Sequence, residues 1–479
     1  MPLLLNAKSV EPTPAPLGLP TRRSNFLTLT PVQRPPEPPS MTAEFVEAMR
    51  TFLFDPATKD AFRGLPSDFT RERCFTFPRI CVALLKEQAR PAQTRLLHMF
   101  QDGGFGDAGK CPTASAFYQA RAKVLPEFFH EWTRQAVQFF YDNFPRESLV
   151  MTWRGRRLWA VDCSTIILPD TPETRHFYSI QTNQVPDSET ICGLASFAYD
   201  VLNEMPTNAC LEKVQAEKNF LFDHHFKYFS SDMIVIYDRG YADYAVVAMH
   251  AMRGVDFVIR FPTSSTYKEV EEFMNSTGSD RIVNLRATAR YKSQVEEGVY
   301  PGQVQVRLVK VVLPTGETEV LMTSLLDQKK YKPSDFKALY GKRWGVETGF
   351  DRFKHQLEVE CFSSGKVHNI KQDFHAAVFL QVVETIMSKS RDRLIRARSI
   401  QDELEHVYHV NKSGAYTMLS DHLVGLFLMD GSAALAHLLS YQDEILMLKS
   451  PFRPRRRKPR ARLTPTRRLN HYLYRKKRR

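Results

Sequence analysis

Two aspartates that follow apolar runs are the first residues of this chain whose placement suggests chemistry. Asp162 follows the run LWAV, and Asp238 follows the run MIVIY. A carboxylate that closes a hydrophobic strand stands at the edge of a sheet, where α/β proteins build their sites. Taken alone, each aspartate is more often a turn or helix-capping residue. Gly240, two residues after Asp238, lets the backbone turn sharply behind the carboxylate.

The segment YGKRWGVETGFDRFK carries four functional side chains at helical spacing, namely Tyr340, Arg343, Glu347 and Lys354. If one α-helix carries them, all four fall within an arc of about 60°. An exposed structural helix gains only slightly from charge pairs three or four residues apart, and it has no need of this mixture. Metal-dependent phosphoryl transfer does need this mixture of side chains, because a carboxylate holds the cation while arginine and lysine bind phosphates.

The elements that must position these residues change in type along the chain. Residues 41–150 show helical spacing, whereas residues 151–450 contain strand-like runs such as RRLWAVDCSTIIL and DMIVIYD, separated by helical intervals. This alternation predicts an α/β layer with a largely covered sheet. Further strand-like runs at about 256–330, with a Pro314-Thr315-Gly316 turn, predict a strand-rich insertion into that layer.

The spacing of the four-residue segment resembles the YREK signature of the insertion-sequence-four family of DDE transposases. Asp162 in WAVDCSTIILPD is similar to the first catalytic aspartate of that family, Asp238 in YDRGY to the second, and Glu347 to the third carboxylate. Trp344, directly after the signature arginine, and the early segment KCPTASAFYQARAKV are similar to members of the family as well. The resemblance extends over most of residues 41–450.

The resemblance implies an α/β fold in which an RNase H-like core is interrupted by the strand-rich insertion and preceded by an all-helical DNA-binding domain at 41–150. The three carboxylates would hold two divalent ions, normally Mg²⁺ with Mn²⁺ as a substitute, because oxygen ligands suit these ions better than zinc. The residues expected to contact DNA are Tyr340, Arg343, Trp344, Lys354 and Arg239.

The activity that follows from the resemblance is cleavage and strand transfer of double-stranded DNA at the terminal inverted repeats of an insertion sequence, by a homodimer in the synaptic complex. Two alternatives stay open: a non-catalytic DNA-binding protein derived from a transposase, and an RNase H-like nuclease without strand transfer. One departure concerns the insertion, where relatives use a tryptophan to support a flipped base. This chain has no tryptophan between residues 160 and 343, and Tyr267, Tyr291 or Phe273 are the possible substitutes.

A helix, a glycine-rich break and a second helix at 93–125 form a possible DNA-reading pair, with Gln119, Arg121 and Lys123 on the second helix. An ordinary helical bundle explains the same pattern equally well. The break contains Gly103, Gly104 and Gly106.

The positive charge of the chain lies in its last segment. Residues 451–479 contain 14 basic and no acidic residues; removing 14 from the total of 66 basic residues leaves 52, against 53 acidic ones. We therefore expect a basic disordered tail that binds DNA phosphates, with Tyr472 and Tyr474 able to stack on bases. A solvated tail that only confers solubility is the alternative.

The remaining features of the sequence concern the cellular location of the protein. Residues 1–40 hold ten of the 29 prolines and predict a disordered leader. Seven scattered cysteines, without a Cys-x-x-Cys pair, favour a reducing compartment over a disulfide framework. No run of eighteen apolar residues occurs, so no membrane span is predicted. We expect a cytoplasmic, nucleoid-associated bacterial protein.

Overall fold

The computed structural model describes residues 41–71, 73–86, 91–101, 111–182, 189–262, 267–312 and 316–453. Several predicted features lie outside these residues: the leader 1–40, the glycine-rich break, the first two residues of the Pro314-Thr315-Gly316 turn, and all but the first three residues of the basic tail. Within the described residues, no helix is long and apolar enough to cross a lipid bilayer.

The α-helices of the described residues are α1 Met41–Phe54, α2 Pro56–Phe62, α3 Phe77–Leu85, α4 Ala92–Gln101, α5 Ala114–Arg121, α6 Glu127–Asn143, α7 Pro172–Phe177, α8 Glu217–Phe220, α9 Tyr244–Arg253, α10 Lys268–Met274, α11 Lys292–Glu296, α12 Pro333–Gly341, α13 Trp344–His355, α14 Val367–Gln401, α15 Lys412–Leu428 and α16 Gly431–Met447. The strands are β1 Arg157–Ile167, β2 Ser179–Thr182, β3 Glu189–Asp200, β4 Met205–Lys213, β5 Met233–Tyr237, β6 Asp256–Phe261, β7 Asp280–Arg286, β8 Gln303–Val312, β9 Thr318–Thr323, β10 Tyr408–Val410 and β11 Lys449–Pro451. The helical character predicted for residues 41–150 is confirmed by α1–α6.

Five strands form the centre of the main sheet in the order β4-β3-β1-β5-β6. The pairs β4–β3 and β3–β1 are antiparallel, whereas β1–β5 and β5–β6 are parallel. The parallel pair β5–β6 is joined through α9, as a parallel connection requires a crossover. In an RNase H-like core, three strands pair antiparallel and two further strands run parallel to the last of them. The sheet has this arrangement, so the predicted fold class is confirmed.

The strands of the predicted insertion continue this same sheet. β6 is the last of the five central strands, and β9, β8 and β7 follow it in that order, all antiparallel to their neighbours. β8 and β9 form a hairpin in which Val312 lies opposite Thr318. The result is one nine-stranded sheet, since β2 also pairs with β3.

Alternating side chains of the central strands pack on opposite faces of the sheet. Leu158 and Ala160 of β1 belong to the apolar cluster that α12, α13 and α14 cover, whereas Trp159 and Val161 belong to the cluster under α9. β5 alternates in the same way, with Ile234 and Ile236 on the α13 side. Because the side-chain period of a strand is two, the next even-numbered residues, at 162 and 238, also face α12 and α13.

The helices at the two ends of the chain share one hydrophobic core. Side chains of α1, α3 and α6 pack with those of α14, α15 and α16, and the ring of Trp132 stacks on that of Phe379 at a centroid distance of 4.0 Å. The helices before and after the predicted domain boundary at residues 150 and 151 therefore pack in one hydrophobic core.

Arg121 joins these helices by a buried polar network. Its side chain is fully buried and donates hydrogen bonds to Asp373 Oδ1 at 2.8 Å, Gln372 Oε1 at 3.0 Å and the Asn369 carbonyl oxygen at 3.1 Å. The guanidinium is therefore unable to reach DNA, and the hypothesis that Arg121 reads bases is wrong. Its neighbour Lys123 is exposed and forms an ion pair with Asp68.

This network predicts a large difference between two arginine substitutions. Arg121→Met leaves the Asp373 carboxylate buried without its cation, and we expect the free energy of unfolding to fall by about 3–5 kcal/mol. The matched control is Arg134→Met, which removes a partly exposed i,i+3 pair with Glu131 and should cost less than about 1 kcal/mol. Urea denaturation measures both, and equal losses would contradict the structural role of Arg121.

Candidate active site

Asp162 and Asp238 lie side by side because of the register between β1 and β5. The two strands run parallel with Val161 opposite Tyr237, and each of these residues is followed by an aspartate. Neighbouring strands are about 4.8 Å apart, and both aspartates point to the face covered by α12 and α13. Asp162 does not end its strand as predicted, because β1 continues to Ile167. The neighbouring strand β5 ends there instead, and this opens the sheet edge beside Asp162.

The Asp162 carboxylate is largely buried and accepts two hydrogen bonds. Oδ1 accepts from the Cys163 amide at 2.8 Å and Oδ2 from Arg343 Nη1 at 3.2 Å. Burial raises the pKa of Asp162 to about 6, with smaller contributions from the negative charges of Glu347 and Asp238, while the Cys163 amide and Arg343 act in the opposite direction. The effect of burial thus outweighs the stabilisation of the charged carboxylate by the Cys163 amide and the Arg343 guanidinium.

The Asp238 carboxylate sits at the turn after β5. Its Oδ1 accepts hydrogen bonds from the Arg239 amide at 2.8 Å and from the Tyr340 hydroxyl at 3.1 Å. Arg260 Nη1 lies 3.7 Å from the same oxygen, and its Nη2 is 2.7 Å from Glu319 Oε1. Arg260 was not a predicted site residue. Its place follows from the register of β5 and β6, in which Tyr237 lies opposite Ile259, so the residues after them are neighbours.

The predicted signature stripe is divided between two helices. Tyr340 lies near the end of α12, which stops at Gly341, and α13 begins at Trp344. α13 packs closely on the sheet: the ring of Phe350 stacks on Phe197 at 4.1 Å, and Phe197 is the cross-strand neighbour of Asp162. This contact brings the first turn of α13, which carries Glu347, to the aspartates. The prediction that one continuous helix carries all four signature residues is therefore wrong.

Arg343 bridges two of the three carboxylates. One guanidinium nitrogen bonds Asp162 Oδ2, and the other bonds Glu347 Oε1 at 2.9 Å. The side chain is almost completely buried, and its cation lies 4.8 Å from the centre of the Trp344 ring. The Nε atom is buried without a hydrogen-bond partner in the described part of the chain. Asp162 and Glu347 are thus held within the span of one guanidinium.

Lys354 differs from the expectation for the fourth signature residue. Its Nζ donates a 2.6 Å hydrogen bond to the Thr165 carbonyl oxygen of β1 rather than lying beside the carboxylates. Burial lowers the pKa of the ammonium group, although the nearby Glu360 opposes that shift. In this arrangement Lys354 fixes α13 to β1, three residues beyond Asp162.

The other predicted DNA contacts differ in accessibility. Tyr340 and Arg343 are buried, whereas Arg239 is exposed and Trp344 is 49% exposed. The possible base-supporting residues Tyr267, Tyr291 and Phe273 are buried at 8%, 8% and 0% exposure. The hydroxyl of Tyr267 accepts from the Tyr244 amide. As placed, none of these three rings can support a flipped base.

The donor chemistry of the site fits a hard divalent cation. The three carboxylates offer only oxygen ligands, which suit Mg²⁺ or Mn²⁺. They already hold one positive group, the Arg343 guanidinium. In the positions observed for the described residues, no three acidic, histidine or cysteine side chains are close enough to share one ion. As placed, the three carboxylates do not by themselves form a three-ligand site.

Part of the chain is similar to known transposases. The family described as "Transposase DDE domain" matches residues 219–380, which contain Asp238, Glu347 and the other signature residues but not Asp162. The chain is 21% identical over 254 residues to the transposase InsG for insertion sequence element IS4 of Escherichia coli (strain K12). That alignment covers 51% of this chain and 53% of the transposase, so the chain spans about half the length of the relative it matches.

A solved structure is also similar. A cryo-EM structure of the piggyBac transposase synaptic complex with hairpin DNA has a TM-score of 0.43 and 10% sequence identity, covering 84% of this chain and 85% of that one. The family match spans the segment that carries Asp238 and the four signature residues. Residues 219–380 therefore match a transposase DDE domain, and the chain is similar to a transposase of the insertion-sequence-four type.

Proposed function

We propose that this chain catalyses metal-dependent cleavage and strand transfer of DNA at the terminal inverted repeats of an insertion sequence. Asp162, Asp238 and Glu347 would hold two divalent ions, Mg²⁺ or in its place Mn²⁺. The partners would be terminal-repeat and target DNA, bound by a homodimer in the bacterial nucleoid. The observation that carries the proposal is the parallel register of β1 and β5, which sets the two aspartates side by side under the helix of Glu347.

The divalent ions, when bound, would generate the attacking oxygen nucleophile and stabilise the leaving oxygen at phosphorus. The protein groups have separate tasks. β1 and β5 fix the spacing of the two aspartates, and the Tyr340 hydroxyl orients the Asp238 carboxylate. Arg343 provides positive charge between Asp162 and Glu347, where an incoming phosphodiester would otherwise meet two negative groups.

The exposed side chains near the carboxylates are the candidates for DNA contact. Arg239 follows Asp238 directly and presents its guanidinium to solvent. Trp344 has about half of its surface accessible, while the Arg343 cation holds its ring in place. A fixed, half-exposed aromatic ring is suited to stacking on a base, and an exposed arginine is suited to a backbone phosphate.

One assay separates the proposed transposase from its two alternatives. The full-length protein is incubated with Mg²⁺, a labelled terminal-repeat duplex and a target plasmid. Joined products identify a transposase, and cleaved but unjoined duplex identifies a nuclease. Retention of the duplex without cleavage in either Mg²⁺ or Mn²⁺ identifies a DNA-binding protein and contradicts the proposed catalytic site.

Neutral replacement of each carboxylate should abolish chemistry without unfolding the protein. We expect Asp162→Asn, Asp238→Asn and Glu347→Gln each to slow cleavage by more than about 100-fold, because each removes a charged oxygen ligand. Asp351→Asn is the matched control, since it removes an exposed carboxylate from the same helix as Glu347. Wild-type cleavage by Asp238→Asn would refute the assignment.

Arg239 and Lys354 should give opposite results when replaced. Arg239→Ala should leave thermal stability unchanged and reduce the salt dependence of DNA binding by about one phosphate contact. Lys354→Met leaves the Thr165 carbonyl oxygen without its donor, so we expect a loss of about 1–3 kcal/mol in unfolding free energy. Thermal denaturation and binding titrations at several salt concentrations measure both effects. If Lys354→Met leaves the unfolding free energy unchanged, the structural role is contradicted and the predicted DNA contact of Lys354 is favoured instead.

Removal of the basic tail should weaken general DNA binding and spare sequence preference. Truncation after Arg453 keeps the pairing of β11 with β10 and removes all but one of the tail's 14 basic residues. Each lost phosphate contact should reduce the slope of log affinity against log salt by about 0.9. Preference for the terminal repeat over random duplex should persist, since phosphate contacts carry no base information. An unchanged slope would indicate that the tail serves solubility alone.

A further inference from the structure

The segment that leads into the signature residues presents a row of lysines to solvent. It consists of the turn before α12, the helix itself and the residue that follows it. Before residue 451 the chain carries almost equal numbers of basic and acidic residues, yet this segment has five lysines and only two aspartates. All five lysines are exposed, and we name them together the α12 lysine face: Lys329, Lys330, Lys332, Lys337 and Lys342.

The ammonium groups of the α12 lysine face are not used to hold the protein together. In the part of the chain that the structure describes, none of the five forms an ion pair, whereas Lys218, Lys371 and Lys412 each bind a carboxylate. Lys330 Nζ lies 5.2 Å from the centre of the neighbouring Tyr331 ring, an arrangement that leaves its charge open to an anion. The face therefore has its positive charge available for a partner outside the fold.

The two aspartates of the segment do not neutralise these lysines by direct contact. Asp327 Oδ1 accepts hydrogen bonds from the backbone amides of Lys329 and Lys330, both at 2.9 Å. Asp335 Oδ2 accepts from Arg154 Nη2 at 2.7 Å and from the Lys332 amide at 2.9 Å. Both carboxylates thus bind main-chain donors or an arginine rather than a lysine side chain.

Buried contacts fix the backbone that carries the first three lysines. Arg307 is fully buried and donates a 2.6 Å hydrogen bond from Nη1 to the Tyr331 carbonyl oxygen. The Tyr331 ring stacks on Trp153 at a centroid distance of 5.8 Å, and the Arg307 guanidinium lies 5.3 Å from the centre of the Phe336 ring in α12. The turn and the helix are therefore held in one position, and this reduces the cost of ordering the lysines on binding.

The α12 lysine face lies beside the candidate active site. Lys337 is one helical turn before Tyr340, whose hydroxyl bonds Asp238, and Lys342 directly precedes Arg343. The other exposed positions of α12 are small: Ser334, Ala338 and Gly341. No bulky or acidic side chain on the exposed face of this helix therefore keeps a polyanion away from the lysines.

We propose that the α12 lysine face binds the sugar-phosphate backbone of the terminal-repeat duplex next to the phosphodiester that is cleaved, a proposal that rests on the proposed function. Exposed ammonium groups on a fixed backbone are suited to phosphates, which they bind as point charges without reading the bases. The partner is the DNA to be cut rather than target DNA, because the lysines adjoin the residues that contact the carboxylates.

The test is the salt dependence of binding between the full-length protein and a labelled terminal-repeat duplex, measured by fluorescence anisotropy without divalent ions. Lys337→Gln and Lys342→Gln should each reduce the slope of log affinity against log salt by about 0.9, and the double variant by about 1.8. An unchanged slope in the double variant would overturn the proposal.

Lys227→Gln is the matched control for these substitutions. Lys227 is exposed, and its Nζ lies 5.1 Å from the centre of the neighbouring Tyr228 ring, much as Lys330 lies over Tyr331. It precedes β5, whereas Asp238 follows that strand, so it stands at the end of β5 remote from the carboxylates. Its replacement should leave the slope at the wild-type value. A loss as large as that of Lys337→Gln would mean that any surface lysine contributes equally, and it would contradict a defined DNA path along α12.

Arginine replacement separates the charge of Lys337 from a structural role. Lys337→Arg keeps the positive charge and should keep the wild-type slope, whereas Lys337→Gln should not. Both variants should melt at the wild-type temperature, because the ammonium group makes no ion pair in the described residues. A lower melting temperature for both variants, together with a reduced slope for Lys337→Arg, would assign the effect to folding and count against the proposal.

Cleavage and joining assays identify which DNA the lysines contact. At limiting duplex the double variant should cleave more slowly than the wild type, and at saturating duplex the two rates should be equal, because only binding is weakened. Joining of pre-cleaved ends to a target plasmid, at saturating end duplex, should be unchanged. Normal cleavage with defective joining would show that the lysines contact target DNA, and it would overturn the assignment to the terminal repeat.

The salt slope does not depend on catalysis, so it separates failure of this proposal from failure of the proposed function. If the wild type binds the duplex but cleaves it in neither Mg²⁺ nor Mn²⁺, the proposed function fails, while the slopes still decide whether the lysines bind phosphates. If the wild type cleaves and joins DNA and the double variant keeps the full slope, the proposed function stands and the α12 lysine face is not a DNA contact.

Discussion

The site depends on one buried guanidinium that holds together carboxylates which would otherwise repel each other. Arg343 connects Asp162, fixed on β1, to Glu347, carried by α13, and so links the sheet to the helix that covers it. Burial makes this interaction strong, since charges in a protein interior are screened less than at the surface. It also makes the arrangement dependent on charge. Loss of the Arg343 charge would leave two neighbouring carboxylates without their common cation.

The helices surrounding the sheet are arranged around α14. Its first turns bond Arg121 through Gln372 and Asp373, and farther along Gln381 donates to the Gly349 carbonyl oxygen of α13. The same helix packs with α6 and α16 in the helical core. One continuous element of 35 residues thus contacts the active-site helix and the amino-terminal helices. The position of α13 above the aspartates is consequently set by the packing of the whole helical layer.

The sequence was informative where function depends on local pattern. Apolar runs located β1 and β5 and therefore both aspartates, and the spacing of Tyr340, Arg343 and Glu347 identified side chains that do converge. It was uninformative where a partner is distant in the chain. Lys354 bonds a carbonyl 189 residues away, and Arg121 pairs with a carboxylate 252 residues away. Nothing in a local pattern distinguishes such buried cations from exposed ones. Arg260 was missed for the same reason, since the register of β5 and β6 brings it to Asp238.

The shared core of the two chain ends also has a consequence for synthesis. Trp132 stacks on Phe379, so the apolar faces of the amino-terminal helices have no complete partner until the carboxy-terminal helices have been made. At ribosomal rates of about 5–20 residues per second, this interval lasts roughly 10–50 s. During that time, the first helices expose aromatic side chains on the nascent chain. Such surfaces attract chaperones or other unfinished chains, so the yield of folded protein should depend on how fast translation proceeds through the second half of the chain.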